Sequence, residues 1–484
     1  MKSENKALLK NTFKKIETYL ENIDSHKVVI NKSPNELKNL IDISISDDGI
    51  SNSELENKID TYLKYSVHSS SKQYSNQLFA GTNLPSLLGE YITATVNTSN
   101  YTFEVSPLGS IMERELVAHM SSKIGYSTGG GTFVTGGSNA NLMALLCARQ
   151  KKFPDVKTNG IGSIGITTLF VSDRCHYSFE KAANVLGIGI KNLRKVKSNS
   201  KGEMIPQELE KEINLSIEAG EKPFFVAATS GTTELGAFDP IIEIHKISEK
   251  YDLWLHIDGA WGGSILLSNK HKHLLAGSEL SDSFTWDAHK MMNIPLICSA
   301  FLIKDEIHLK NATYTANSSY IFRKNEYDEF DIGNYSIQCA KKVDSFKLWL
   351  AWKYYGDKGY DKRISYLFEL SQYATEYINN HPRLELMADT ISLNVNFRIT
   401  SNLTNSECYN NLNINELNDY NLAIREKLVL NGNSVCNYCF INGNISFRLI
   451  TNNPDKSFSD IDKFFDNLFE AEKQLEKECV DEFN

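Results

Sequence analysis

The sequence predicts an α/β fold: a large, mostly parallel sheet covered by helices, followed by a smaller C-terminal α+β domain. Three observations carry this expectation. Short apolar runs alternate with amphipathic stretches between residues 168 and 303. Residues able to do chemistry follow the carboxyl ends of several of those runs. From about Ser345 the pattern shifts to longer helical stretches and alternating strands. With 484 residues there is enough chain for two or three domains and a sizeable core. We expect a helical arm over 1–80, a large domain over 81–350 and the small domain over 351–484.

In chain order, Leu9, Phe13, Ile16 and Leu20 share one face at 4-3-4 spacing. That makes an amphipathic helix whose stripe needs cover from the body of the protein or from a partner subunit. Helical spacing returns at 84–96 and 111–124, around loops rich in Asn, Ser and Thr at 75–83 and 96–107. The segment GTFVTGGSNANLMALL (131–146) places Gly136, Gly137 and Ser138 where a helix running to about Lys152 begins. Strands follow at 168–173, 224–229, 253–258, 283–286 and 297–303, with helices at 176–187 and 240–251. Apolar strands in strand–helix–strand order predict a parallel sheet buried on both faces. Helices at 346–356 and around 367–378, strands at 391–400 and 445–451, and a helix at 458–477 complete the small domain.

Composition narrows the function. Hydrophobic residues are 41% and charged residues 23%, as in ordinary globular proteins. A net charge of −9 argues against a nucleic-acid surface, so an anionic small substrate must be captured by local cations. No apolar run approaches the roughly 20 residues of a membrane span. The charged start MKSENKALLKNTFKK lacks the apolar centre of a signal peptide, and the expected location is the cytoplasm. Eight Cys are scattered; the CxxC of Cys436 and Cys439 has no second pair or nearby His to complete a zinc set, so no metal site is expected.

The chemistry concentrates in two stretches, LWLHIDGAWGGS (253–264) and TWDAHKMM (285–292). An apolar strand ends in Asp258, and a second short apolar piece is followed by His289 and Lys290. A strand-end acid and a strand-end lysine meet the needs of pyridoxal 5'-phosphate: Lys290 for the imine, Asp258 for the pyridine nitrogen. Open sheets bind ligands at the carboxyl ends of their strands. His176, Thr232, Thr233, Asp258 and Lys290 all fall there. The Gly136–Gly137–Ser138 turn offers backbone N–H groups and a helix dipole to a phosphate, although such a turn also serves as an ordinary capped helix start.

Taken together, TFVTGGSNANLMAL, SDRCHYSFEKAA, ATSGTTELGAFDP, LWLHIDGAWGGS, TWDAHKMM and VDSFKLWLAW resemble the pyridoxal phosphate-dependent amino-acid decarboxylases. These include the glutamate, aspartate, cysteine sulfinate and aromatic amino-acid enzymes, and the likeness runs from about Gln77 to Asn453. The resemblance implies the fold-type-I architecture of pyridoxal phosphate enzymes and an obligate homodimer. It implies that Gly137 and Ser138 hold the phosphate and His176 stacks on the ring. Thr233 would bond near the phenolic oxygen or phosphate, with Thr232 as the alternative. Asp258 would pair with the ring nitrogen, Ala260 pack on the ring face, and His289 sit beside Lys290.

The resemblance also bears on the substrate. Arg448 matches the position that binds the α-carboxylate in acidic amino-acid decarboxylases. Where glutamate decarboxylases read QLS, this chain has Gln77, Leu78 and Phe79. A Phe there shortens the pocket and removes a donor. Phe79, Ser99 and Tyr101 look like the set of cysteine sulfinate and aspartate decarboxylases, which implies L-aspartate or L-cysteine sulfinate as substrate, with L-glutamate the alternative. Phe330 falls where many relatives carry a proton-donating Tyr. That leaves Tyr327, Tyr335, His289 or water to protonate Cα, and an aldehyde-forming reaction as the minor alternative.

Overall fold

The computed structural model describes residues 2–314, 321–322, 326–400 and 412–483. The chain divides into two compact units: Gly81–Ser371 with Asp389–Asn394, and Met1–Ala80 with Gln372–Ala388 and Val395–Asn484. In chain order the strands are β1 (Tyr74–Ser75), β2 (Gly130–Val134), β3 (Thr167–Ser172), β4 (Leu193–Val196), β5 (Lys222–Thr229), β6 (Trp254–Asp258), β7 (Ser283–Asp287) and β8 (Ser299–Ile303). They are followed by β9 (Leu384–Leu386), β10 (Asn394–Ile399), β11 (Val435–Ile441) and β12 (Asn444–Ile450).

The larger unit holds a seven-stranded sheet in the order β2-β8-β7-β6-β5-β3-β4. β4, β3, β5, β6 and β7 pair in parallel; β8 alone runs against its neighbours. Every residue of β3, β6, β7 and β8 is buried, the signature of a sheet covered on both faces. The helix Gly137–Lys152 buries Ala140, Asn141, Met143, Ala144 and Ala148 against it. Its small residues allow close approach to Phe179, Phe225 and Phe301 in one core cluster. The edge strand β4 is only half buried, Arg194 and Lys195 being its less covered residues.

In the smaller unit, five strands are ordered β1-β11-β12-β10-β9. Tyr74 and Ser75 pair in parallel with Val435 and Cys436, and this pairing draws the first 80 residues into the C-terminal unit. The helix Asp344–Asn380 passes from the larger unit to the smaller after Ser371, and the expected helices at 346–356 and 367–378 are merged in it across a break at Gly356 (φ 63, ψ 177). Asn421 of the helix Ile414–Asn431 brackets Ile399, donating to its carbonyl at 3.0 Å and accepting from its N–H at 2.8 Å. Cys436 and Cys439 lie buried on β11, the Cys439 thiol donating to Asn396 Oδ1 at 3.4 Å; Cys408 lies outside the described residues. The helix Ser3–Glu21 is tied to the helix Asn52–Tyr65 by Lys15–Asp60 at 2.6 Å, while Leu9 and Phe13 stay about half exposed.

Candidate active site

Five strands of the large sheet, β2, β3, β5, β6 and β7, deliver side chains to one cavity of about 230 Å³ at their carboxyl ends. It is lined by Gly137, Ser138, His176, Thr233, Asp258, Ala260, His289 and Lys290. Asn141, Tyr177, Thr229, Gly231, Trp261 and Asp287 complete the wall. The structure therefore brings together all eight residues considered for a cofactor. Thr232 does not join them: it is buried, and its Oγ1 accepts from Ala237 N at 3.0 Å.

At one end of the cavity the helix Gly137–Lys152 begins. Gly136 adopts φ 109, a conformation open to glycine and strained for other residues. No side chain caps the helix. A Cβ added at Gly137 would lie 2.8 Å from Asp287 Oδ2 and 3.2 Å from Ala260 Cβ, so only the bare backbone fits. The N–H groups of Asn139 and Ala140 both turn back to Gly136 O. Those of Gly137 and Ser138 precede the first intrahelical bond and remain for an anion.

Asp258 ends β6, 4% exposed. Its Oδ2 accepts from Asn141 Nδ2 at 2.8 Å and its Oδ1 from Ala260 N at 3.1 Å. His176 stands in the loop after β3, its Nδ1 accepting from Ser178 N at 3.3 Å, which assigns the proton to Nε2. Burial lowers the His176 pKa against the opposing pull of Asp258, leaving a neutral ring.

Lys290 follows β7, and its Nζ lies 3.2 Å from Asp287 Oδ2. His289 Nε2 is 3.8 Å from the same oxygen, and its Nδ1 meets Cys298 O at 3.0 Å. Burial lowers the His289 pKa, so this ring too is neutral near pH 7. Burial alone would raise the Asp287 carboxyl, but Lys290 and His289 outweigh it and hold its pKa below the usual range. Asp287 Oδ1 is buried and has no hydrogen-bond partner among the described residues. An amine, a facing acid, a flat neutral imidazole, a small Ala wall and a helix N-terminus are the donor set that pyridoxal phosphate requires, and the residues present fit it.

The residues considered for substrate recognition do not line this cavity. Arg448, on β12 of the smaller unit, is buried and donates to Asn76 O at 3.4 Å, beside Gln77 and Phe79. Gln77 is exposed, and Phe79 packs on Tyr74 with ring centroids 6.1 Å apart. In the larger unit Ser99 Oγ accepts from Lys341 N at 3.3 Å, and Tyr101 packs on Phe322 at 5.1 Å. Their loop is anchored by the buried Lys341–Glu113 pair and by Asn100 Nδ2 donating to Glu113 at 2.8 Å. Phe330 packs on Phe103 at 5.7 Å, as does Tyr327 at 4.9 Å, and Tyr335 lies under the Arg114 guanidinium.

Sequence reasoning missed Asn141, Trp261 and Asp287. Asp287 was open to inspection, three positions before Lys290 in TWDAHK. Asn141 sits one helical turn past Gly137, and only the register of the helix on β6 reveals its contact.

Comparisons with known proteins identify the family. Residues 34–400 match the model of the pyridoxal-dependent decarboxylase conserved domain. The human cysteine sulfinic acid decarboxylase is 39% identical over 77% of this chain and 76% of its own length. The acidic amino acid decarboxylase GADL1 of Bos taurus is 38% identical over 92% of this chain and 86% of its own. The crystal structure of mouse CSAD superposes with a TM-score of 0.91 at 35% identity, covering 96% of this chain and 98% of that one. The chain is an α/β enzyme of the pyridoxal-dependent decarboxylase family.

Proposed function

We propose that the chain removes the α-carboxylate of a short acidic amino acid, turning L-aspartate into β-alanine, L-cysteine sulfinate into hypotaurine, or both. The observation that carries this substrate class is Phe79 in the segment whose Asn76 carbonyl receives the buried Arg448. The names of the relatives, cysteine sulfinic acid and acidic amino acid decarboxylases, support it.

When bound, pyridoxal phosphate supplies the electron sink for the pair left behind as CO2 departs. The residues do the rest. Gly137 and Ser138 would offer N–H groups to its phosphate, and Lys290 Nζ an amine to its aldehyde. Asp258 would pair with the ring nitrogen and favour its protonated form. His176 and Ala260 would pack on the ring, and Thr233 would bond at its polar edge. By their match to the family's positions, Arg448 would fork onto a carboxylate of the substrate, each charge-assisted bond contributing about 1.5–3 kcal/mol, and Ser99, Tyr101 and Gln77 would complete the recognition of its side chain. Of His289, Tyr327 and Tyr335, His289 alone lines the cavity; its ring is neutral, so it would orient a water that supplies the proton for Cα.

We also propose a homodimer and a cytoplasmic location. The exposed Leu84, Leu88, Ile92 and Val96 form an i, i+4 stripe on one helix, an apolar face suited to a second copy. Among the described residues no helix is long and apolar enough to cross a membrane.

The decisive experiment measures CO2 and amine release across a panel of acidic and aromatic amino acids. Aspartate or cysteine sulfinate should exceed glutamate in kcat/KM by about tenfold or more, the effect of a pocket one methylene too short. Phe79→Ser should narrow that gap. A wild-type preference for glutamate overturns the substrate; hydrogen peroxide and ammonia in step with CO2 overturn simple decarboxylation.

A further inference from the structure

Asn141 joins Asp258 to the interior of the sheet. Its Nδ2 donates to Asp258 Oδ2 at 2.8 Å and to Ser178 Oγ at 2.9 Å. Its Oδ1 accepts from Thr285 Oγ1 at 2.9 Å and meets His256 Nε2 at 3.1 Å. All four hydrogen-bonding positions of the amide are in use. Behind it, His256 Nδ1 meets Ser283 Oγ at 2.8 Å, and Trp254 Nε1 donates to the same oxygen at 2.8 Å. Asn141, His256, Ser283, Thr285 and Trp254 are each no more than 3% exposed, so water does not compete.

The carboxylate end of this chain sets its direction. A carboxylate only accepts, so Asn141 turns its NH2 to Asp258 and its Oδ1 to His256 Nε2 and Thr285. With Nε2 donating, His256 Nδ1 accepts from the Ser283 hydroxyl, onto which Trp254 Nε1 donates. The imidazole, which burial keeps neutral by pushing its pKa down to about 3, carries its proton on Nε2 and donates to Asn141 Oδ1. The amide is thereby barred from flipping: its NH2 faces Asp258. Phe225 stacks on His256 with ring centroids 6.0 Å apart and Phe179 meets it edge-on at 6.2 Å, holding the ring in plane.

We propose that Asn141 is a positioning residue for the cofactor's ring nitrogen, with His256 behind it setting the sense of its amide. This inference rests on the reading of Asp258 as the ring-nitrogen partner. Asn141 and the Ala260 N–H occupy the rear of the carboxylate and leave its remaining lone pairs toward the cavity that Asp258 lines. A carboxylate so held accepts the ring N–H without first reorienting.

The test uses the cofactor-free full chain and two ligands: pyridoxal phosphate and its analogue with C–H in place of the ring nitrogen. Both share the phosphate and the aldehyde, so their affinity ratio isolates the ring-nitrogen contact. Wild type should favour pyridoxal phosphate by about 30-fold or more, the value of a charge-assisted hydrogen bond, and Asn141→Ala should cut that preference about tenfold with the analogue unaffected. His256→Phe keeps the ring packing, releases the amide and should cut the preference about threefold; it decides the matter if Asn141→Ala does not fold. Equal weakening of both ligands, or an unchanged ratio, overturns the inference. Asp258→Ala separates the two levels. If the ratio survives in Asp258→Ala, or is absent in wild type, the reading of Asp258 is wrong. If it collapses there but persists in Asn141→Ala and His256→Phe, only the positioning role falls.

Discussion

Asp258 and Asp287 each end a strand of the large sheet and line the same cavity, yet their surroundings differ. Both oxygens of Asp258 are held, one by Asn141 and one by the Ala260 N–H. Asp287 has one oxygen on Lys290 and the other without a partner among the described residues. The first arrangement fixes a direction. The second faces Lys290 Nζ at 3.2 Å and His289 Nε2 at 3.8 Å, and so holds the amine that has to move to reach an aldehyde. One cavity thus contains a rigid acid and an exchangeable one, and the supply of neighbouring donors sets which is which.

Lys290→Ala should have the largest effect, removing the amine common to binding and catalysis. Activity should fall to background, and the visible absorption band of the cofactor-loaded protein should vanish. A persisting band would show that another amine reaches the cofactor. Asp258→Ala should follow, lowering kcat by about 10²–10³-fold, as when a preorganised electrostatic partner is removed. A loss confined to KM would mean that Asp258 serves binding alone and would erase the distinction from Asp287.

Asp287→Asn should act in the opposite direction. Asp287 Oδ2 abuts the backbone of Gly137, at the helix start assigned to the phosphate, so its charge repels that anion. That repulsion opposes cofactor binding, and the Asn variant should hold pyridoxal phosphate tighter by up to about tenfold. Titration of cofactor-free protein by absorbance measures this. Weaker binding would show that placing Lys290 outweighs the repulsion.

The legible and the hidden parts of this molecule differ in range. Strand-end residues such as His176, Asp258 and Lys290 are legible because an apolar run and the residue that follows it are adjacent in sequence. The β2–helix turn is legible for the same reason. Asn141 is hidden because its partners, His256, Asp258 and Thr285, come from two strands more than a hundred residues away. The edge strand β4 is hidden because Arg and Lys fill two of its four positions. The grouping of residues 1–80 with the C-terminal unit is hidden because it depends on β1, two residues long and pairing with a strand some 360 residues later. Local pattern reports the sheet and its rim, whereas contacts between distant elements decide how the rim is held.

The smallest effect expected is on acid stability, and it sharpens the comparison from the rear of Asp258. His256 has its pKa pushed from 6.5 down to about 3 by burial. Between those values the unfolded chain takes up a proton that the folded chain refuses, so stability is full above about pH 6.5 and declines as pH falls toward 3. The slope from this one group reaches at most about 1.4 kcal/mol per pH unit. Asp287 contributes only at the acid end, since the stability from a carboxyl depressed below 3.8 is full above that value and is lost as pH falls from it through the lowered one. In cofactor-free His256→Phe, the urea midpoint should therefore change less between pH 6 and 4 than in wild type, from a lower starting stability. An identical pH profile would mean that His256 is charged in the fold. A charged ring donates from both nitrogens, so the fixed direction of the chain from Trp254 to Asp258 would be lost, along with the rigidity that separates the two acids.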